Sequence, residues 1–295
     1  MDEVRTGLLQ VSGVDIELAG REDDLYFRNA LADGFVYEPA VAAADLLLPE
    51  QPVVLDVGAS IGAVTAAIAT LRPAAHIVSF EANPDVHPSL AATTQQLDAT
   101  VTMVDRAVGA QAGTLSFHRD PNGSAWGFLS DELGETEVPV VTVDATVAEL
   151  GLDRVDFIKI DVEGGELAVL EGAAQTLESH RPTVVFEVNV FCLWRYGRTL
   201  PQDLFAWVME RLPNLTAMHP DGTVTRIEGP ATVNHLLFQL GTRGGLLDVV
   251  ASWESLEGLT DETVAPFAQQ RVEPPAATET PSNQPTPTKR RFFRR

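Results

Sequence analysis

Between residues 50 and 215 the hydrophobic positions fall into short β-branched runs separated by longer segments with helical spacing. Val53 to Val57, Ile77 to Phe80, Val101 to Val104, Phe157 to Ile160 and Val184 to Glu187 predict strands. Ile61 to Leu71, Val86 to Leu97, Glu163 to Ser179 and Gln202 to Leu212 predict helices. Apolar strands alternating with helices are the pattern of an α/β fold with a doubly wound, mostly parallel sheet. Ahead of this core, Leu8 to Leu18 alternates around Ser12-Gly13 as a hairpin does, and Pro39 to Leu48 reads as a helix stopped by Pro49. An insertion, Gly113 to Val143, carries strand-like Thr114 to Phe117 and Val138 to Val143 around a glycine-rich middle. Farther on, Leu215 to Met218 and Thr223 to Ile227 flank the turn signal Pro220-Asp221-Gly222, and with Asn234 to Leu240 they predict an antiparallel edge. The expected organisation is a hairpin and helical appendage over 1–50, a main domain over 51–245, a helical extension over 246–273 and a disordered tail over 274–295, where Pro, Thr, Ala, Glu and Ser dominate.

The chain has 295 residues and 45% hydrophobic content, enough for one substantial core. Its formal charge of −22 repels phosphate backbones, which argues against a nucleic-acid substrate. The tail ends in Lys289-Arg290-Arg291-Phe292-Phe293-Arg294-Arg295, a basic and aromatic cluster suited to an anionic membrane or an acidic partner. Cys192 is the single cysteine, so an intramolecular disulfide and a cysteine-cage metal site are excluded. The N-terminus lacks a basic segment leading into an apolar run, and no stretch reaches the ~20 apolar residues that span a bilayer. These features predict a soluble, cytoplasmic protein.

Candidate chemistry begins at Asp56-Val57-Gly58-Ala59-Ser60-Ile61-Gly62, where an apolar strand runs through small residues into a helix. Such a turn lets backbone approach a ligand, with helix amides pointing at it. A dinucleotide loop presents Gly-x-Gly-x-x-Gly, whereas here an acidic residue precedes glycines at 58 and 62. The spacing looks like a loop that holds S-adenosylmethionine (SAM), with Asp56 suited to the cofactor's amino group. Glu81, closing the second strand, is placed to accept ribose hydroxyls.

The run Lys159-Ile160-Asp161-Val162-Glu163-Gly164-Gly165-Glu166, followed by Leu170-Glu171-Gly172-Ala173, resembles the FkbM methyltransferase family, which carries Lys-x-Asp-x-Glu-Gly-x-Glu leading into a Leu-x-Gly-Ala helix. Tyr37-Glu38-Pro39 matches the family's Tyr-Glu-Pro. Ser60 stands where the family's cofactor loop has asparagine, and Ala82-Asn83-Pro84 follows Glu81 where the family has an immediate proline. The resemblance spans roughly Tyr37 to Asn189, about half of the chain. It implies a Rossmann-like class I methyltransferase fold and SAM-dependent transfer to a hydroxyl of a sugar, a glycolipid or polysaccharide unit, or a polyketide-type product. It also implies cofactor contacts from Glu38, Asp56, Gly58, Ser60, Gly62 and Glu81, with Asp105 beside the adenine.

An alcohol acceptor must lose its proton, so a base or a divalent cation such as magnesium or manganese has to serve it. Asp161 and Glu163, two residues apart at the end of the fourth strand, are the candidate acid–base groups, with Lys159 as a further catalytic candidate or an inward ion-pair partner. Asp161, Glu187 and Asn189 form a candidate metal set, and His235 is an alternative base. Trp126, Phe128, Trp194 and Tyr196 are candidate sugar-stacking faces. The rival readings are an NAD-dependent oxidoreductase on the same fold and a non-catalytic methyltransferase-like binding protein.

Overall fold

In the computed structural model, which describes residues 4–120, 123, 127–129, 133–243 and 245–269, the chain opens with β1 (Val4–Val11) and β2 (Val14–Arg21), an antiparallel hairpin. Its turn residues Ser12 and Gly13 both take positive φ, 46° and 80°, the twist that lets a two-residue turn join right-twisted strands. Asp24 then caps α1 (Leu25–Asp33) by accepting from the Phe27 amide, and β3 (Phe35–Val36) pairs with β1. Pro39 starts α2 (Pro39–Leu47), as its fixed φ and missing N–H favour.

The core follows as β4 (Val53–Val57), α3 (Ala63–Leu71), β5 (His76–Phe80), α4 (His87–Thr94) and β6 (Thr100–Val104). The insertion forms a sheet of its own from β7 (Ala107–Val108), β8 (Gly113–His118), β9 (Phe128–Leu129) and β10 (Thr136–Val141). The chain re-enters the core through α5 (Val143–Glu149), β11 (Phe157–Ile160), α6 (Glu166–Glu171), α7 (Ala174–His180) and β12 (Thr183–Asn189). It finishes with α8 (Val190–Arg195), α9 (Pro201–Met209), β13 (Asn214–Met218), β14 (Val224–Arg226), α10 (Pro230–Arg243), β15 (Leu246–Ser252) and α11 (Asp261–Gln269).

The main sheet runs β14-β13-β15-β12-β11-β4-β5-β6. From β6 to β12 all neighbours are parallel, while β15 lies antiparallel between β12 and β13. This is the expected Rossmann-like class I methyltransferase architecture, a parallel sheet with two reversed strands, β15 and β14, toward one edge. Chain order reverses between β4 and β11, so the carboxyl ends of those two strands open the crevice where doubly wound folds bind ligands.

Helix α3 explains why the N-terminal hairpin is part of this fold. Seven of its nine residues are buried, more than a sheet-facing stripe needs, because β2 covers its outer side. The Ala19 amide donates to Thr93 Oγ1 of α4 at 2.9 Å, and Leu9, Ile16 and Leu18 join the core cluster that holds α2, α3 and α11.

Three expectations are corrected. Asn234 to Leu240 lies inside α10, since Val233, Leu236 and Leu237 are buried and Asn234, His235 and Phe238 exposed, which is a helical period. The antiparallel strand beside β12 is instead β15, from the segment expected to be a helical extension, so the main sheet continues past residue 245 and, among the described residues, only α11 in that extension is helical. The helix expected over Glu163 to Ser179 starts at Glu166, because Glu163 and Gly164 take φ of 53° and 109°, and it breaks after Glu171. A Cβ at Gly172 would sit 2.1 Å from the Gly109 carbonyl, so this glycine admits a backbone contact at the break. Trp126 and the tail lie outside the described residues. Among the described residues no helix is long and apolar enough to cross a membrane.

Leu18, fully buried on β2, tests whether hairpin and core unfold together. Leu18→Ala should remove about 2–5 kcal/mol from the single urea transition of the whole chain. An unmoved main transition would show the hairpin to be an independent appendage.

Candidate active site

Five residues join β4 to α3, and three of them take positive φ: Gly58 at 84°, Ser60 at 49° and Gly62 at 93°. A Cβ on Gly58 would lie 1.8 Å from the Asp161 carbonyl, so only glycine lets the loop after β4 touch the loop after β11. The Gly58 and Ala59 amides donate to the Phe80 carbonyl at 3.0 Å. Glu81 fastens the next turn: Oε2 accepts from the Ser60 amide and Oε1 from the Asn83 amide, both at 2.7 Å. Burial raises the Glu81 pKa, and these two amides oppose the rise. A cavity of about 910 Å³ opens here, walled by Glu38, Gly58, Ser60, Glu81, Asp161 and Glu163, among others. Gly62 lies behind this wall, where a Cβ would meet Leu90 of α4 at 2.8 Å.

Asp56 does not reach the cavity. It is fully buried and sits opposite Lys159 in the β4–β11 register, with Oδ1 3.5 Å from Lys159 Nζ and Oδ2 accepting from Thr65 Oγ1 at 2.6 Å. The expected contact with a cofactor amino group is therefore replaced by an internal ion pair. Lys159 Nζ also donates to the Gly58 carbonyl at 2.7 Å and lies 3.5 Å from Asp161 Oδ2. Burial opposes its charge, but Asp161, Asp56 and Glu38 together hold its pKa above the ordinary lysine value. Lys159 is thus the inward ion-pair partner, tied at once to the loop, a core acid and a cavity carboxylate.

Glu38 enters the cavity from the turn before α2, whose backbone exchanges hydrogen bonds with Ser12 Oγ. Burial pushes its carboxyl up to about 7, with Lys159 opposing. Asp105 is exposed, 4.0 Å from His87 Nδ1, and it is Arg106, Ala107 and Val108 that wall the cavity beyond β6.

At the end of β11 the acidic motif folds on itself. Glu166 Oε1 accepts from the Val162 and Gly164 amides at 3.2 and 3.1 Å, closing a loop that presents Asp161 and Glu163 to the cavity. Gly164 makes room for α8, since its Cβ would fall 2.5 Å from the Cys192 carbonyl. In return, a Cβ on Gly197 would lie 1.9 Å from the Gly164 carbonyl. Cys192 Sγ donates to Glu163 Oε2 at 2.9 Å. Burial and the Asp161 charge raise the Glu163 carboxyl to about 7. Glu187 on β12 is raised further by burial and by the charges of Asp161 and Glu163.

Asp161, Glu163 and Glu187 each offer an oxygen within 4.8 Å of the others, a set that can hold a proton or a cation. Asn189 does not join them: its Oδ1 accepts from the Cys192 amide at 3.3 Å and caps α8. Glu163 takes its place in the expected oxygen set. His235 lies on the exposed face of α10 beside Gln239, away from the cavity. Phe128 walls the cavity and stacks on Tyr196 at 3.6 Å, while Trp194 is 63% exposed. Cys192 and Arg106 carried no signal in the sequence, because a lone thiol on a helix and an arginine after a strand are ordinary features.

The family model of the methyltransferase FkbM domain matches residues 56–211. The hexuronic acid methyltransferase AglP of Haloferax volcanii is 28% identical over 130 residues, 44% of this chain and 53% of that protein. Methyltransferase sdnD of Sordaria araneosa is 26% identical over 217 residues, covering 59% of this chain and 84% of that one. The 2-O-methyltransferase NoeI of Sinorhizobium fredii is 27% identical over 155 residues, covering 46% and 63%. The matched region thus spans about half the length of AglP and under two thirds of NoeI.

Lys159→Met would strand Asp56 as an unpaired buried charge and should destabilise the fold by about 3–5 kcal/mol in urea. Adding Asp56→Asn should restore at least half of that loss. A single variant costing under roughly 1 kcal/mol would show that the pair does not hold β4 to β11.

Proposed function

The chain belongs to the FkbM methyltransferase family, and from that premise we propose that it is a SAM-dependent O-methyltransferase acting on a hydroxyl of a sugar, a glycolipid or polysaccharide unit, or a polyketide-type product. One observation carries the reading: the Gly58–Ser60 loop, Glu81 and the Asp161/Glu163 pair, from the carboxyl ends of three strands, open into a single cavity. The names of AglP and NoeI, a hexuronic acid methyltransferase and a 2-O-methyltransferase, support a sugar hydroxyl as acceptor.

The residues fit such a cofactor. Gly58 leaves backbone bare at the crevice, and Glu81, facing the cavity with one lone pair of each oxygen spent on an amide, keeps acceptor capacity for ribose hydroxyls. Glu38 and Asp161 supply carboxylates for a cationic ligand. A dinucleotide fits poorly, because the Ser60 amide that a pyrophosphate would need already donates to Glu81. This disfavours the oxidoreductase alternative.

Bound SAM supplies a methyl group already activated on a sulfonium. The protein's task is to orient the acceptor and take its proton. Asp161, fixed by Lys159, orients the hydroxyl. Glu163, with a pKa of about 7, is matched to accept the proton at neutral pH. In this reading Glu163 takes the proton directly, with no divalent cation between it and the hydroxyl.

Asp161→Asn and Glu163→Gln should each lower kcat by about 100- to 10,000-fold, with SAM affinity by calorimetry changed only a few-fold. The wild-type rate should rise with pH through about 7, as Glu163 loses its proton, and reach a plateau above; Glu163→Gln should remove that limb. Wild-type turnover by Asp161→Asn on the true acceptor would take Asp161 out of the chemistry. Chelation should leave the rate intact, whereas a loss restored by magnesium or manganese would make the carboxylates metal ligands.

A further inference from the structure

A second cavity of about 900 Å³ begins where the first ends, with Leu129, Val162 and Glu163 lining both. A molecule seated in it borders Glu163 and is lined by none of the β4 loop residues. Its floor is apolar, from Leu115, Leu129 and Ala168, and its far wall is one continuous stretch, Arg195-Tyr196-Gly197-Arg198-Thr199. The Tyr196 ring is held flat by its stack on Phe128, at 3.6 Å and 11°, and Arg195 lies over that ring at 5.9 Å.

Two features make this wall informative. The first is its rigid attachment to the reactive loop. Gly164 and Gly197 approach so closely that neither can carry a Cβ, so the arginine-bearing turn packs directly on the loop that holds Glu163. Arg198 itself adopts a left-handed φ of 51°, turning the chain sharply after the glycine. The second is charge. The protein carries 42 acidic and 20 basic residues, and five of the basic ones lie in the last seven positions. Two arginines within four residues, beside a carboxylate cluster, run against that balance. A neutral sugar does not call for them. An acceptor bearing an oxyanion would be repelled by the overall field and by Asp161 and Glu163, and it would need a local guanidinium fork to enter and be oriented.

Building on the O-methyltransferase reading above, we infer that the acceptor is an anionic sugar, whose carboxylate or phosphate is held by Arg195 and Arg198 while a hydroxyl faces Glu163. Bound SAM would supply the methyl group to the hydroxyl oxygen and leave as a neutral thioether that keeps the bonding pair, while the Glu163 carboxylate accepts the hydroxyl proton.

The test measures acceptor binding apart from turnover. Calorimetry on the full chain saturated with S-adenosylhomocysteine would compare a methyl glucuronide, a hexose phosphate and the neutral methyl glucoside. At least one charged sugar should bind 10-fold or more tightly than the neutral one, and the arm with the larger preference identifies carboxylate or phosphate. In the double variant Arg195→Gln/Arg198→Gln that preference should vanish and affinity for S-adenosylhomocysteine should persist; both side chains are exposed, so the fold should survive, as an unchanged melting curve would verify. Equal affinity for charged and neutral sugars, no binding of any sugar, or a preference that outlasts the double variant would overturn the inference. An arginine-dependent preference with no methyl transfer to any sugar would support the anionic site and count against the transfer reading instead.

Discussion

A lysine buried between two aspartates stands at the point where the strand order reverses. Lys159 Nζ meets the Gly58 carbonyl, Asp56 and Asp161 within 3.5 Å, and so ties the loop after β4 to the end of β11. Neither strand can place its functional residues alone. The loop needs Gly58 bare to touch the Asp161 carbonyl, and Asp161 needs the ammonium to hold its orientation. A buried ion pair of this kind contributes little net stability over an apolar pair, but it imposes register, because removing either partner leaves a charge without water. Here the register it selects, Lys159 opposite Asp56, is also the one that aligns the Gly58 turn with the Asp161 carboxylate.

Around that lysine the site is an accumulation of carboxyl groups. Glu38 and Glu166 are each pushed by burial from 4.5 up to about 7. A carboxyl raised in the folded state retains a proton that the unfolded chain releases, so these groups favour folding below about pH 4.5 and lose that contribution as pH rises to about 7. The cavity is therefore strained electrostatically at neutral pH, and a cationic ligand relieves the strain by taking the place of protons. The same crowding explains why Glu163 titrates near neutrality with no histidine near it: desolvation and the Asp161 charge suffice.

The parallel strands and the cavity loops were legible because both are local. Val53 to Val57 and Phe157 to Ile160 are apolar runs buried on both faces, and the Gly58–Gly62 turn is a short-range conformational demand. Errors arose where long-range pairing decided. Asp56 reads as a ligand-facing acid until β11 is laid beside β4 with Lys159 opposite it. Strand β15 is hidden because Asp248 interrupts its apolar run, and that carboxyl is half-buried opposite Glu187 only once β12 and β15 are paired. The α10 segment mixes strand-forming Thr232, Val233 and Phe238 with helix-forming leucines, and burial of Val233, Leu236 and Leu237 on one side makes it a helix. Asn189 has the chemistry of a metal ligand, but its position at the first turn of α8 makes it a cap.

Two glycines, from separate loops, fix the backbone around Asp161 and Glu163. Gly58 brings the cofactor loop against β11, and Gly164, two loops away, brings α8 against the same β11 turn. Asp161 and Glu163 lie between these two backbone contacts, so their carboxylates are fixed by neighbours on both sides and not by their own loop alone. That arrangement suits a reaction whose main demand is alignment, since a misplacement of about 1 Å can cost ~100-fold in rate. It also divides the labour between conformation and chemistry. Any side chain at residue 58 or 164 would push an entire element away, whereas residues 195–199, held at their base by Gly197, can vary at their tips without disturbing Glu163. In the proposed reading, acceptor choice would fall to the element that the loop after β11 tolerates changing most.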